Sequence, residues 1–297
     1  MCKSSYNRNI GESGGLTLKT EINEVKKGFT HGGIFHADDV FATALLKILN
    51  PDIEITRGNQ IPENFEGIIY DIGGGEFDHH QKDKRIRENG IPYAAFGLLW
   101  EKYGEEILGK KEAEKFEVNF VQQIDWADNT GEYNILARVI SDRNTTWKES
   151  HKDAKEEFEK AVEFAKEILE NSFRQVWAKQ DAYKIVREKA ENCKDGILCL
   201  EQAMPWKEAV KGLEIVYVIF VSQRGGYCIQ AVPSEEEDSE RALKKPFPEC
   251  WRGATKEELQ SMTGVKTFNF CHNGGFLSAV DTLEDAIKVA ELAINMK

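Results

Sequence analysis

Three clusters of residues carry metal-ligand chemistry. The densest runs from Asp71 to His80 and reads Asp-Ile-Gly-Gly-Gly-Glu-Phe-Asp-His-His. Carboxylates and imidazoles in one segment are the donor mixture that binds hard or borderline divalent cations. A second cluster, His31-Gly-Gly-Ile-Phe-His36-Ala-Asp38-Asp39, adds two imidazoles and two acids. A third, Asp125-Trp-Ala-Asp128-Asn129, closes an amphipathic segment. With His31, His36, Asp38, His79 and Asp125 around it, Asp71 could bridge two ions, and two-metal sites suit phosphoester hydrolysis by an activated water. Oxygen-rich donors mixed with imidazoles favour Mn(II), with zinc, cobalt and iron as alternatives. His80, next to His79, would face the phosphate as donor or general acid. Asp39 alone reads as a helix cap, Asp78 as a group orienting an imidazole, and Asp125 equally as a ligand or as half of a salt bridge. No Ser-His-Asp elbow, Walker loop or Rossmann fingerprint offers a rival chemistry.

These groups need elements that bring them together. Apolar residues at helical spacing predict a helix over 40–50, stopped by Pro51 and capped by Asp38 or Asp39, with His31 and His36 near its start. Residues 53–56, ending in Arg57-Gly58, and 67–70, ending at Asp71, read as short strands. Strands alternating with helices imply parallel pairing, which would deliver His31, Arg57 and Asp71 to one carboxyl-end edge. Arg57 is then either a surface charge or a contact for a substrate phosphate. The run Gln81-Lys82-Asp83-Lys84-Arg85-Ile86-Arg87 is either a solvated loop or a phosphate clamp, with Lys82 and Arg85 as its candidate contacts. Residues 91–103 predict a buried helix, and 112–126 an amphipathic one stopped by Asn129-Thr-Gly131. Acids at a helix carboxyl end oppose its dipole, so Asp125 calls for a metal or a basic partner.

A charge-rich stretch without Pro or Gly, 151–194, predicts one long helical connector. Beyond it, 195–297 is strand-like: 196–200, 213–222 and 226–232 with a hairpin, 267–271, an acidic loop over 234–240, and a final helix capped by Thr282 with Asp285 three residues on. The loop His272-Asn-Gly274-Gly275 would let backbone amides approach a phosphate. The expected organisation is therefore a tail over 1–27, a metal-binding α/β domain over 28–150, the connector, and a substrate-binding α+β domain over 195–297.

Composition narrows the classes. A chain of 297 residues with 41 % hydrophobic content fits soluble protein with room for two cores. The formal charge of −12 argues against bulk attraction to nucleic acid but leaves room for a local basic patch. Six scattered cysteines without a Cys-x-x-Cys pair suggest neither a zinc ribbon nor a disulfide framework. No apolar run reaches membrane-spanning length and the first 27 residues lack a signal-peptide core, so a cytoplasmic protein is expected.

Taken together, Thr30-His31-x-Gly33-x-Phe35-His36-Ala37-Asp38-Asp39, Asp71-Ile-Gly-Gly, Phe77-Asp78-His79-His80-Gln81, Tyr93-Ala-Ala-Phe-Gly-Leu-Leu-Trp100 and Ile124-Asp125-x-x-Asp128-Asn129 resemble the MYG family. The resemblance continues through Pro205-Trp-Lys207, Trp251-Arg-Gly253 and Phe270-Cys-His272-Asn-Gly-Gly-Phe276. It implies kinship with the DHH phosphoesterases: a DHH-like parallel-sheet domain with helices on both faces, a smaller C-terminal domain, and an active site between them. In those enzymes the first motif is His-x3-Asp-x-Asp, whereas here it is His-x4-His-x-Asp. By that mapping His31, His36 and Asp71 hold one metal, Asp38, Asp71, His79 and Asp125 the other, and His80 and His272 face the phosphate. The implied activity is a Mn(II)-dependent phosphodiesterase or 3′-to-5′ exonuclease on RNA or short oligonucleotides. A small-molecule phosphatase or pyrophosphatase and a non-catalytic nucleotide-binding protein are the alternatives, and the oligomeric state stays open, with a homodimer among the options.

Overall fold

The computed structural model describes residues 9–10, 16–17, 21–149, 153–193, 195–235 and 242–296. They form two compact units, Met1–Val176 and Trp177–Lys297. Of the expected N-terminal tail, Asn9–Ile10 pairs antiparallel with Leu16–Thr17; the remainder up to residue 20 lies outside the described residues, as do 236–240 of the expected acidic loop.

In the first unit, β1 (Lys27–His31) leads through α1 (Ala37–Leu49) to β2 (Glu54–Gly58), and β3 (Ile68–Ile69) follows. The sheet is parallel with order β2-β1-β3, and its register sets Thr30 opposite Arg57 and Phe29 opposite Ile69. Parallel neighbours need a crossover, which α1 supplies between β1 and β2. Val40, Phe41, Leu45, Leu46 and Leu49 are all buried, so α1 is a core helix. Because the three strands run the same way, His31, Arg57 and Asp71 arrive at one edge.

Next come α2 (Ala95–Leu108) and α3 (Lys110–Phe116), which runs through a π-helical turn, Glu117–Val121, into α4 (Gln122–Thr130). The helix expected from residue 91 begins only at Ala95: Pro92 disfavours helical backbone in the residue before it, and it pairs instead with Ile86. Gly131, at φ 71°, ends α4 by donating its N–H to the Ala127 carbonyl. After α5 (Ile135–Ser141), α6 (Ala154–Glu191) spans the division between the units. Its Phe173 stacks on Trp100 at 5.7 Å, and Trp100 lies 4.7 Å from Phe116, which ties α2, α3 and α6 into one aromatic core.

The second unit holds a mixed sheet of β4 (Ile197–Leu200), β5 (Tyr217–Val221), β6 (Tyr227–Ala231), β7 (Phe270–Cys271) and β8 (Leu277–Val280). Its order is β4-β5-β6-β8-β7; β4 and β5 are parallel and the other neighbours antiparallel. The β5–β6 hairpin matches expectation. The strand β8 and the helix α7 (Lys256–Thr263) were not anticipated, the strand being a four-residue run behind a glycine turn. The final helix, α8 (Leu283–Asn295), is capped as expected: the Asp285 N–H donates to Thr282 Oγ1 at 3.2 Å. No helix among the described residues is long and apolar enough to cross a membrane.

Candidate metal centre

Asp71 follows β3 after one residue, Tyr70, and adopts φ 56°, a left-handed conformation that costs roughly 1–2 kcal/mol for a residue with a Cβ. Its N–H bonds to the Phe77 carbonyl at 2.9 Å, which folds the glycine turn back and sets His79 and His80 beside the strand end. One Asp71 oxygen lies 3.1 Å from His31 Nε2 and the other 3.1 Å from His79 Nε2. Asp71 is therefore common to two potential ligand groups, one with His31 and Asp39, the other with His79 and His80. His36, Asp38 and Asp128 form a third. The third adjoins the second, since His79 Nε2 is 3.7 Å from Asp38 and 3.4 Å from Asp128.

Three of the imidazoles, His31, His79 and His80, are fixed from behind. His31 Nδ1 is 2.9 Å from the Gly32 carbonyl, so that nitrogen carries the proton and Nε2 faces the carboxylates. His79 Nδ1 is 3.4 Å from Asn129 Oδ1. The Asn129 amide has one sensible orientation: its Nδ2 donates to the Tyr93 and Asp125 carbonyls, while Lys84, which can only donate, reaches Oδ1. His80 is held through Nδ1 by Asp78 at 2.9 Å with its side chain 62 % exposed, and Asp78 is itself anchored by the Gly74 and His80 N–H groups. Asp78 thus orients an imidazole.

The electrostatics show why a cation fits. Asp38, Asp39, Asp71 and Asp128 converge where the facing charges are imidazoles and Arg57. Burial, then Asp71 and Asp128, push the Asp38 carboxyl well up. Burial raises Asp39 as well, against His31 and Arg57. Burial also works against ionisation of Asp71, yet His31 and His79 hold it down to about 2, while Asp39 and Asp71 lift His31 to about 10. Asp38 Oδ1 is buried with no hydrogen-bond partner among the described residues. An unsatisfied buried carboxylate oxygen beside further acids is relieved by a divalent ion, and mixed oxygen and imidazole donors suit one.

Two expectations about these residues change. Asp125 stays out of the ligand groups: Arg87 Nη2 binds one of its oxygens at 2.7 Å and the Gly97 N–H the other at 3.0 Å. Burial pushes it up to about 7 even so, with Arg87 pulling the other way. Asp128, one turn further along α4, faces His36 and His79 in its stead. Asp39 does more than cap α1. One oxygen accepts from the His36 N–H at 2.9 Å, and the other lies 3.3 Å from His31 Nε2. The guanidinium of Arg57 is likewise engaged inside, 3.4 Å from Asp39 and 4.0 Å over the Phe158 ring. Arg85 pairs with Glu101 at 2.7 Å, and Lys82 is exposed. In the second unit, His272 Nδ1 accepts from the Gly274 N–H at 2.9 Å, and Gly275 sits against Arg252, where a Cβ would come 2.7 Å from Nε.

Arg87, Gly97 and Lys84 were not singled out as part of the site. Arg87 read as one cation of a basic run, and nothing local marks it as the partner of an acid 38 residues away. Gly97 is needed because a Cβ there would lie 1.8 Å from Asp125 Oδ2.

A family model, MYG1_exonuc, described as Uncharacterised protein family (UPF0160), matches residues 28–294. Among curated proteins, the chain is similar to the MYG1 exonuclease of Homo sapiens, 27 % identical over 321 residues, covering 89 % of this chain and 85 % of that protein. The MYG1 exonuclease of Rattus norvegicus is 27 % identical over 328 residues, covering 89 % and 84 %. The MYG1 protein of Saccharomyces cerevisiae is 26 % identical over 334 residues, covering 93 % and 98 %.

Proposed function

The chain belongs to the UPF0160 (MYG1_exonuc) family, and from that premise and the shared position of Asp71 we propose that it is a divalent-metal-dependent exonuclease of RNA or short oligonucleotides, Mn(II) being the metal. Support comes from the name exonuclease carried by mammalian relatives and from a buried carboxylate common to two ligand groups. His31, Asp39 and Asp71 would hold one ion; Asp38, Asp71, His79 and Asp128 would hold the second, with His36 against Asp128. Bound there, such ions supply an acidified water and positive charge for the phosphate as it reacts. The protein's own contribution is orientation. Gly32 and Asn129 point both Nε2 atoms inward. In this reading the exposed His80, steadied by Asp78, donates a proton to the leaving oxygen. Lys82 and the His272, Gly274 and Gly275 loop are proposed as contacts to substrate phosphates.

The carrying observation is Asp71, whose two oxygens face two different imidazoles at 3.1 Å each. Purified protein with Mn(II) is expected to release mononucleotides from a short end-labelled RNA. Asp71→Asn should slow this by about a thousandfold, the loss of several kcal/mol of transition-state stabilisation. Full activity in that variant would refute the assignment, and release of inorganic phosphate without mononucleotides would move the protein to the phosphatases.

A further inference from the structure

A cleft of about 410 Å³ opens beside His79, lined by Gly74, Gly75, Asp78, His79, Lys84 and Tyr93. It touches both the imidazole that faces Asp71 and the carboxylate that steadies His80, so a molecule in it would lie against the metal centre's edge. The charges on its walls are unequally committed. Arg85 is neutralised by Glu101 at 2.7 Å, and Glu76 by Lys102 at 3.0 Å, while Asp83 completes the rim. Lys84 differs, because the partner of its ammonium among the described residues is a neutral group, Asn129 Oδ1 at 3.2 Å. One neutral acceptor leaves the full charge and two further N–H donors to spend.

The same Asn129 oxygen lies 3.4 Å from His79 Nδ1, so the carboxamide joins the cleft's uncompensated cation to a residue of the metal centre. The two Asn129 Nδ2 hydrogen bonds, to the Tyr93 and Asp125 carbonyls, keep that oxygen in place. Tyr93, with Arg87 at 3.7 Å and Arg85 at 5.0 Å over its ring, gives the cleft a fixed wall beside Lys84.

We propose that this cleft is a nucleotide subsite and that Lys84, held by Asn129, is the cation that binds the phosphodiester neighbouring the one at the metal centre. This rests on the nuclease reading and adds to it the residue that recognises the adjoining phosphate. Lys84 is a binding residue, with its effect on capture of the strand; Asn129 is a positioning residue for both Lys84 and His79.

The test uses the full chain and a fluorescein-labelled single-stranded RNA. Binding is read by anisotropy in EDTA across a salt series, and turnover is read with Mn(II). Lys84→Gln is expected to weaken binding about tenfold, raise KM with kcat nearly unchanged, and flatten the dependence of log affinity on log salt by about 0.7, the slope of one lost phosphate contact on a single strand. Lys84→Arg should restore most of the affinity and the slope. Lys26→Gln, at an exposed residue before the start of β1 and outside the cleft lining, is the comparison for a general loss of charge. An unchanged slope in Lys84→Gln, or the same change in Lys26→Gln, overturns the proposal. If the wild-type protein neither binds nor cleaves RNA, the underlying nuclease reading fails, which is a different result.

Discussion

Asp125 and Asp128 stand three residues apart on one helix, and the regions around them solve the problem of a buried charge in opposite ways. Asp125, fully buried, has its own cation in Arg87, which Glu117 holds from a second side at 2.7 Å, and the amino-terminal turn of α2 adds an N–H. There both oxygens of the buried carboxylate are met within the protein, one by Arg87 and the other by the Gly97 N–H. Around Asp128 the carboxylates of Asp38, Asp39 and Asp71 outnumber the permanent cations, and an oxygen of Asp38 goes unsatisfied. The first arrangement is closed within the protein, and on the reading proposed above the second is completed by a cation from solution. Charge balance, rather than the presence of acids, therefore separates scaffold from site on this helix.

Four experiments would break or sharpen that contrast, beginning with the largest effect. Asp71→Asn, on the unbalanced side, should remove catalysis by about a thousandfold while leaving the metal-free fold intact. Loss of folding in that variant would place Asp71 with the structural acids. On the balanced side, Arg87→Ala should cost about 3–5 kcal/mol, because it strands a buried carboxylate, and thermal denaturation should fall by roughly 10 °C. The sign of its pH dependence follows from Asp125, whose carboxyl burial raises to about 7. Below that value the acid takes up a proton and needs no cation, so the deficit of Arg87→Ala should be smaller at pH 5 than at pH 8. Pairing Arg87→Met with Asp125→Leu should recover most of the loss, and a double variant as unstable as the single one would contradict the ion-pair account.

Third, Mn(II) at a hundredfold excess over its Kd should stabilise the wild type by about 2.7 kcal/mol. That gain should be abolished in Asp71→Asn and kept in the Arg87→Met, Asp125→Leu pair. The smallest effect is the most discriminating. Asp38→Asn removes one of the crowded carboxylates, so in EDTA it should raise stability by about 1 kcal/mol while weakening Mn(II) binding. A lower denaturation temperature for the metal-free variant would show that Asp38 is already balanced within the protein.

Much of the scaffold was legible because it follows from local pattern. The apolar spacing of 40–50 became α1, Gly131 stopped α4, Thr282 capped α8, and the glycine turn after Ile69 presented Asp71 at a strand end. The boundaries that moved have local causes too, such as Pro92 delaying α2. Less was legible in the centre itself. Asp39 was read as a cap because its position at the third residue of α1 explains one of its oxygens fully, and nothing local speaks for the other. Asp125 and Asp128 share a helix face, so spacing could not say which would meet His79.

What the sequence alone determined is the inventory: imidazoles and acids in three segments, each set at a turn or helix end by its neighbours within a few residues. Only the tertiary structure decided which of those acids are spent. Arg87 comes from a loop 38 residues before Asp125, and Gly97 leaves the space that lets their ion pair form. The physical reason is that donor types and backbone turns are set over short stretches of chain, whereas compensation of a buried charge depends on which groups of any sequence separation reach it.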